Sequence, residues 1–162
     1  MAYNNYGNNG GYNNRSNYGA RPQQNRPYSA PVPPEEIKPL PLPKDYVDEA
    51  ERIMHRLSTE RNKITTSKLR NLLSIVSDIY NTENLRTDRE LLPESVTALT
   101  MMRIRVVYEA GREDAVKTFV REAKLLEYIK GIGTSREALV SFAHYMEALV
   151  AYHRFIIGGR EG

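Results

Sequence analysis

Cysteine is absent from the 162 residues. That removes disulfide frameworks, thiolate zinc sites and cysteine nucleophiles together, and it suits a reducing cytoplasm. Long apolar runs are missing as well, since no stretch approaches the roughly eighteen uninterrupted apolar residues of a membrane span. The first residues, rich in Asn, Tyr and Gly, show no charged-then-apolar leader pattern. A cytoplasmic chain without membrane contact is expected. A strong excess of one charge is lacking too: the formal net charge is only +3, although the isoelectric point is about 9.1. Arg15, Arg21, Arg26 and Lys38 against Glu35 and Glu36 account for two of those three charges within residues 1–43. Bulk charge therefore does not identify a nucleic-acid binder. Such a role would require cations gathered on one face and acids on another.

What is present divides the chain in two. Residues 1–30 are nearly devoid of aliphatic side chains and set Tyr3, Tyr6, Tyr12, Tyr18 and Tyr28 among Asn, Gly and Arg. They bury too little to offset ordering entropy, so a disordered tail is expected. Its aromatics and arginines suit weak stacking on single-stranded bases, or it is simply a solvated leader. Pro31, Pro33, Pro34, Pro39, Pro41 and Pro43 then favour extended polyproline II, a semi-rigid spacer. The expected organisation is a tail and spacer over 1–43 and a helical domain over 44–162. Hydrophobic residues make up 40% of the chain, which supports one modest core held by packing alone.

From Lys44 the apolar residues recur at helical spacing. Tyr46, Val47, Ala50, Ile53, Met54 and Leu57 mark a first helix. Thr65 or Thr66 caps a second, with Leu69, Leu72, Leu73, Val76, Ile79 and Tyr80 inward and an end near Asn81. Asp88 to Leu92 suggests a further helical turn, and Pro93 opens a third helix carrying Val96, Leu99, Met102, Val106 and Val107, with Gly111 as stop or bend. Val116, Phe119, Val120, Ala123, Leu126 and Ile129 make a fourth, with a left-handed C-terminal cap expected at Gly131. Thr134, Ser135, Arg136 and Glu137 read as a capping box before a last helix built on Leu139, Phe142, Ala143, Met146, Leu149 and Val150, closed by Gly158 and Gly159. No segment alternates with period two. The predicted fold is all-α, a compact bundle of about five helices.

Catalytic constellations are hard to find. His144 and His153 lie nine residues apart on one helix, on nearly opposite faces at about 100° per residue, and cannot share a metal. His55 has no evident partner. Asp45, Asp48 and Glu49, and again Asp88 and Glu90, sit where helix dipoles favour acids whatever the function. No enzyme activity, cofactor or metal is expected. Gly131 to Ser135 (GIGTS) invites comparison with helix-hairpin-helix modules, which offer backbone N–H groups to phosphates. Glu137, however, stands where that motif wants alanine, and Ala138 comes one residue later. A C-cap followed by an N-cap explains the same residues.

Two basic clusters remain. Arg52 and Arg56, with Lys63, Lys68 and Arg70 around the start of the second helix, form a cationic corner. There Thr65, Thr66 and Ser67 can add a helix N-terminus to a phosphate grip, or merely cap the helix. Arg103, Arg105, Arg112, Lys117, Arg121 and Lys124 form the second, with Lys117, Arg121 and Lys124 on one face. Glu109, Glu113, Asp114 and Glu122 are close enough to neutralise several of these.

Three blocks, KITTSKLRNLLSIVSDIYN (63–81), RIRVVYEAGRE (103–113) and YMEALVAYHRFIIGG (145–159), taken in this order and spacing, resemble the small helical subunit of type III-A CRISPR effector complexes, the Csm complexes. The resemblance covers about Lys44 to Gly159 and leaves the tail and spacer aside. It implies a non-catalytic subunit stacked in more than one copy beside the backbone subunits and below the large signalling subunit in antiviral defence. It also implies contacts with the backbones of guide RNA and target RNA that read no sequence, which base pairing does instead. By the resemblance Lys63, Lys68, Arg70, Arg103 and Arg112 are phosphate contacts, Tyr108 packs, and Tyr152 and His153 are core or interface residues. With Thr66, Lys117 and Arg121 from the residue reading, these make the predicted RNA-binding set.

Overall fold

The computed structural model describes residues 36–158; the tail over 1–30, expected to be disordered, lies outside the described residues, as do residues 31–35 and Gly159. Six α-helices follow in order: α1 (Tyr46–Leu57), α2 (Thr66–Glu83), α3 (Pro93–Arg112), α4 (Asp114–Glu122), α5 (Leu125–Ile132) and α6 (Arg136–Tyr152), which continues into a π-helical turn, His153–Ile157. There is no strand among the described residues beyond one isolated bridge, Glu90 to Ser135. The all-α expectation holds, with one more helix than the five read from periodicity.

α6 is the centre of the core. Leu139, Phe142, Ala143, Tyr145, Met146 and Leu149 are buried along it, and it packs against α1, α2 and α5, while α3 lies on α2 and α4. The aromatic part is tightly specified: Tyr145 meets Tyr128 edge-on at 5.6 Å and donates its hydroxyl hydrogen to the Ala123 carbonyl at 3.0 Å. Burial pushes the Tyr145 phenol well above its ordinary pKa, so this donor stays protonated.

Several local expectations change. The predicted fourth helix is two, because Lys124 adopts a left-handed conformation (φ 50°, ψ 38°) and breaks the run after Ala123. The C-terminal glycine with positive φ is Gly133 (φ 54°), not Gly131, since α5 runs on to Ile132. Ser135 caps α6 by accepting from the Ala138 N–H. Ala138 thus occupies the third helical position where a capping box needs Glu or Gln, so the box is incomplete. Thr65, not Thr66, is the side-chain cap of α2, and that helix extends two residues past Asn81. Val47 and Val107, expected inward, are about half exposed.

Asp88 to Leu92 is extended rather than helical. Glu83, fully buried, accepts from the Leu92 N–H at 2.9 Å and from Arg86 at 2.7 Å. Arg136 donates to the carbonyls of Asp88 (2.7 Å) and Glu83 (3.1 Å). Backbone bonds from Leu91 N to Thr134 O and from Arg136 N to Arg89 O complete the tie. Long-range partners satisfy the backbone here, so a helical turn has nothing to add. The end of the proline run is likewise more than a spacer: Leu40 N donates to Glu127 O at 3.0 Å and Lys130 Nζ to Ile37 O. Gly131 permits this approach, for a Cβ there would sit 1.9 Å from the Leu40 carbonyl oxygen. Polyproline II leaves its backbone groups unpaired, and α5 uses them.

Candidate nucleic-acid interface

α2 and α3 lie side by side, and the groove between them gathers Lys68, Asn71, Ser74 and Asp78 from one helix with Arg105, Glu109 and Arg112 from the other. Their spacing explains it. Lys68, Asn71, Ile75 and Asp78 fall on one face of α2 at steps of three and four, as do Arg105, Glu109 and Arg112 on α3. Three cations, an amide and a hydroxyl thus converge along one trough together with the carboxylates of Asp78 and Glu109, so the acids are not kept to another face. Two of the three cations are held by carboxylates: Lys68 Nζ lies 3.1 Å from Glu113 and 3.8 Å from Glu109. The Arg112 guanidinium is 3.6 Å from Glu109 and sits over the Tyr108 ring at 5.3 Å. Lys68 and Glu113 are both more than a third exposed, and such pairs contribute at most about 1 kcal/mol.

The predicted set is therefore divided. Lys68 and Arg112 meet in the groove. Arg70, two residues beyond Lys68, lies about 200° round α2 and is exposed. Arg103 lies about half a turn from Arg112 on α3 and is half-buried. Lys63 is half-buried in the segment before α2, and Thr66 opens the helix itself. Lys117 and Arg121 border a different hollow, floored by Val107, Val120, Leu126 and Ile37. Lys63, Arg70, Arg103, Arg105 and Lys117 make no ion pair among the described residues. Arg52 and Arg56, placed by sequence in the first corner, are engaged elsewhere: Arg52 with Asp45 and Glu49, Arg56 with Glu122 at 2.7 Å. The predicted set omits Arg105, Asn71 and Ser74. The seven-residue spacing of Arg105 and Arg112 is a usable signal; the juxtaposition of α2 and α3 is not written in either helix.

The helix-hairpin-helix alternative fits poorly. Gly131 and Ile132 belong to α5, and the N–H groups of Ser135, Arg136, Ala138 and Leu139 all donate within the chain, leaving them unavailable to a phosphate. The histidines are separated. His55 is 3.7 Å from Glu51, His144 packs against Tyr80, and His153 is fully buried, in the core as one of its two readings required. Tyr108, assigned to packing, is 60% exposed. It continues a surface stripe with Met101 and Ile104, which flank a largely apolar hollow with Ile75 and Ala98.

Comparison with known proteins agrees with this reading of the blocks. The family model described as Csm2 Type III-A matches residues 41–158. A protein of Mycobacterium tuberculosis named CRISPR system Cms protein Csm2 is 43% identical over 114 residues, covering 69% of this chain and 91% of the relative. The protein of the same name from Streptococcus thermophilus is 40% identical over 121 residues, 73% and 95% of the two chains. A third, from Enterococcus italicus, is 38% identical over 98 residues, 58% and 69% respectively. With a helical core matched almost from end to end at such identity, the chain belongs to the Csm2 family, the small subunits of type III-A CRISPR complexes.

Proposed function

We propose that the chain serves a cytoplasmic type III-A interference complex as a non-catalytic subunit that holds the sugar-phosphate backbones of guide RNA and target RNA without reading sequence. The observation that carries this is the α2–α3 groove, where Lys68, Arg105 and Arg112 stand with Asn71 and Ser74 along one trough. Cations beside an amide donor suit a phosphate backbone, whose contacts position a strand and carry no sequence information. Their existing partners are weak, exposed pairs that phosphates can displace. Lys63, Thr66 and Arg70 around the start of α2, and Arg103, Lys117 and Arg121, supply further backbone contacts in this reading. The apolar stripe Met101, Ile104 and Tyr108, more than half exposed on α3, supports packing against neighbouring subunits, including further copies of the chain, the backbone subunits and the large signalling subunit.

RNA binding by wild type and by Lys68→Ala/Arg105→Ala/Arg112→Ala, alone and reconstituted with the other Csm subunits, tests the reading across a salt series. Sequence-indifferent binding is expected, tighter on assembly. In the triple variant the slope of log affinity against log salt should fall by about 0.7 for each single-strand phosphate that the protein no longer neutralises. Wild-type binding and slope in the variant would assign the groove a purely structural role. Met101→Asp/Ile104→Asp should instead weaken assembly while leaving RNA binding by the isolated chain intact.

A further inference from the structure

We infer that His153 is a positioning residue for the RNA-contacting corner at the start of α2, an assignment that rests on the function proposed above. His153 is fully buried at the first position of the π-helical turn His153–Ile157, and its Nε2 lies 2.8 Å from the carbonyl oxygen of Ile64, 89 residues away in sequence. A carbonyl can only accept, so Nε2 carries the hydrogen and donates it. Nδ1 has no hydrogen-bond partner.

Ile64 stands between Lys63 and Thr65, the cap of α2 whose hydroxyl accepts from the Lys68 N–H at 3.3 Å. The segment joining α1 to α2 is tied at its first end by Ser58, Thr59 and Glu60, whose amides return to the last turn of α1. At its second end the Ile64 side chain is buried and its carbonyl is held by His153. Fixing that peptide fixes the direction in which the backbone enters Thr65, and with it the placement of Lys63 and the first turn of α2.

A phenylalanine would carry no unpartnered Nδ1, but it would leave the Ile64 carbonyl without its donor. The one thing imidazole adds is the donor to Ile64. Widened π turns commonly re-aim a side chain at functional sites, and this one places the ring against a backbone that leads directly into a cationic helix start.

The experiment compares full-length wild type, His153→Leu, His153→Gln and His153→Asn, with the triple groove variant as reference. It reads affinity for a mixed-sequence single-stranded oligoribonucleotide over a salt series and amide exchange along Thr65–Leu69 and α6. Leu should weaken RNA binding by up to about tenfold, the upper scale of one ordinary hydrogen bond, and should speed exchange at Thr65–Leu69 while α6 remains protected. Gln, whose amide nitrogen reaches the Nε2 position, should restore both; Asn, which reaches only the Nδ1 position, should not. The assignment is overturned if all three variants lose α6 protection alike, since His153 is then a core residue only. It is also overturned if exchange at Thr65–Leu69 rises while RNA affinity stays at the wild-type value and the groove variant binds weakly. Should the groove variant bind as wild type, the RNA reading itself fails and takes this assignment with it.

Discussion

Glu83 is the only buried carboxylate among the described residues. Burial alone would raise its pKa, but hydrogen bonds from Ser95, the Leu92 amide and Arg86 outweigh that and hold it below its ordinary value of 4.5. A carboxyl depressed in the folded state binds fewer protons there than in the unfolded chain. Its contribution is therefore complete above 4.5 and is lost as pH falls through the depressed folded value. Glu83→Gln should cost about 2 kcal/mol at neutral pH, the range of a lost hydrogen-bonded charge in the interior. The gap between the two proteins in denaturant midpoint should close on acidification. Parallel acid profiles would remove Glu83 as the cause. In the sequence this residue looks like a polar position just beyond a helix, because its side-chain partners Arg86, Leu92 and Ser95 are brought to it only by the fold.

At the scale of elements, periodicity locates α1, α2, α3 and α6 because each buries one stripe against α6 or its neighbours. It merges α4 with α5 because nothing at Lys124 announces a break: the residue is neither Gly nor Pro. A left-handed lysine at the position after a C-cap is a strained choice, costing about 1 kcal/mol or more relative to glycine. Lys124 is exposed and makes no ion pair among the described residues. Lys124→Gly should therefore stabilise the fold by about 0.5–1 kcal/mol, the greater freedom of unfolded glycine offsetting part of the relief. Thermal unfolding would register it as a higher midpoint without a change in helicity. A lower midpoint would mean that the α4–α5 corner is held by contacts of the lysine stem. The extended stretch before α3 is illegible for another reason: it is shaped by Arg136 and Glu83, both distant in sequence from its middle.

For the whole molecule, the sequence names most of the relevant cations but not their company, since which helix faces meet is decided by the packing of α3 on α2. Helical periodicity already turns Arg70 away from Lys68, and the packing joins Lys68 to Arg105 and Arg112. It also brings Glu109 and Glu113 onto the same rim, where they hold Lys68 and Arg112. If the groove binds phosphate, these carboxylates are competitors, each opposing binding by both occupying a cation and repelling the ligand. Glu109→Gln/Glu113→Gln should then tighten RNA binding roughly fivefold to tenfold at low salt, the worth of the three weak, exposed ion pairs removed. The gain should shrink as salt screens the repulsion. If the acids instead act as props that hold Lys68 and Arg112 in line with the trough, the same change would weaken binding at every salt concentration. The direction of the effect, read in one titration series, separates a groove that phosphates enter by displacing acids from one whose charges are already spent within the fold.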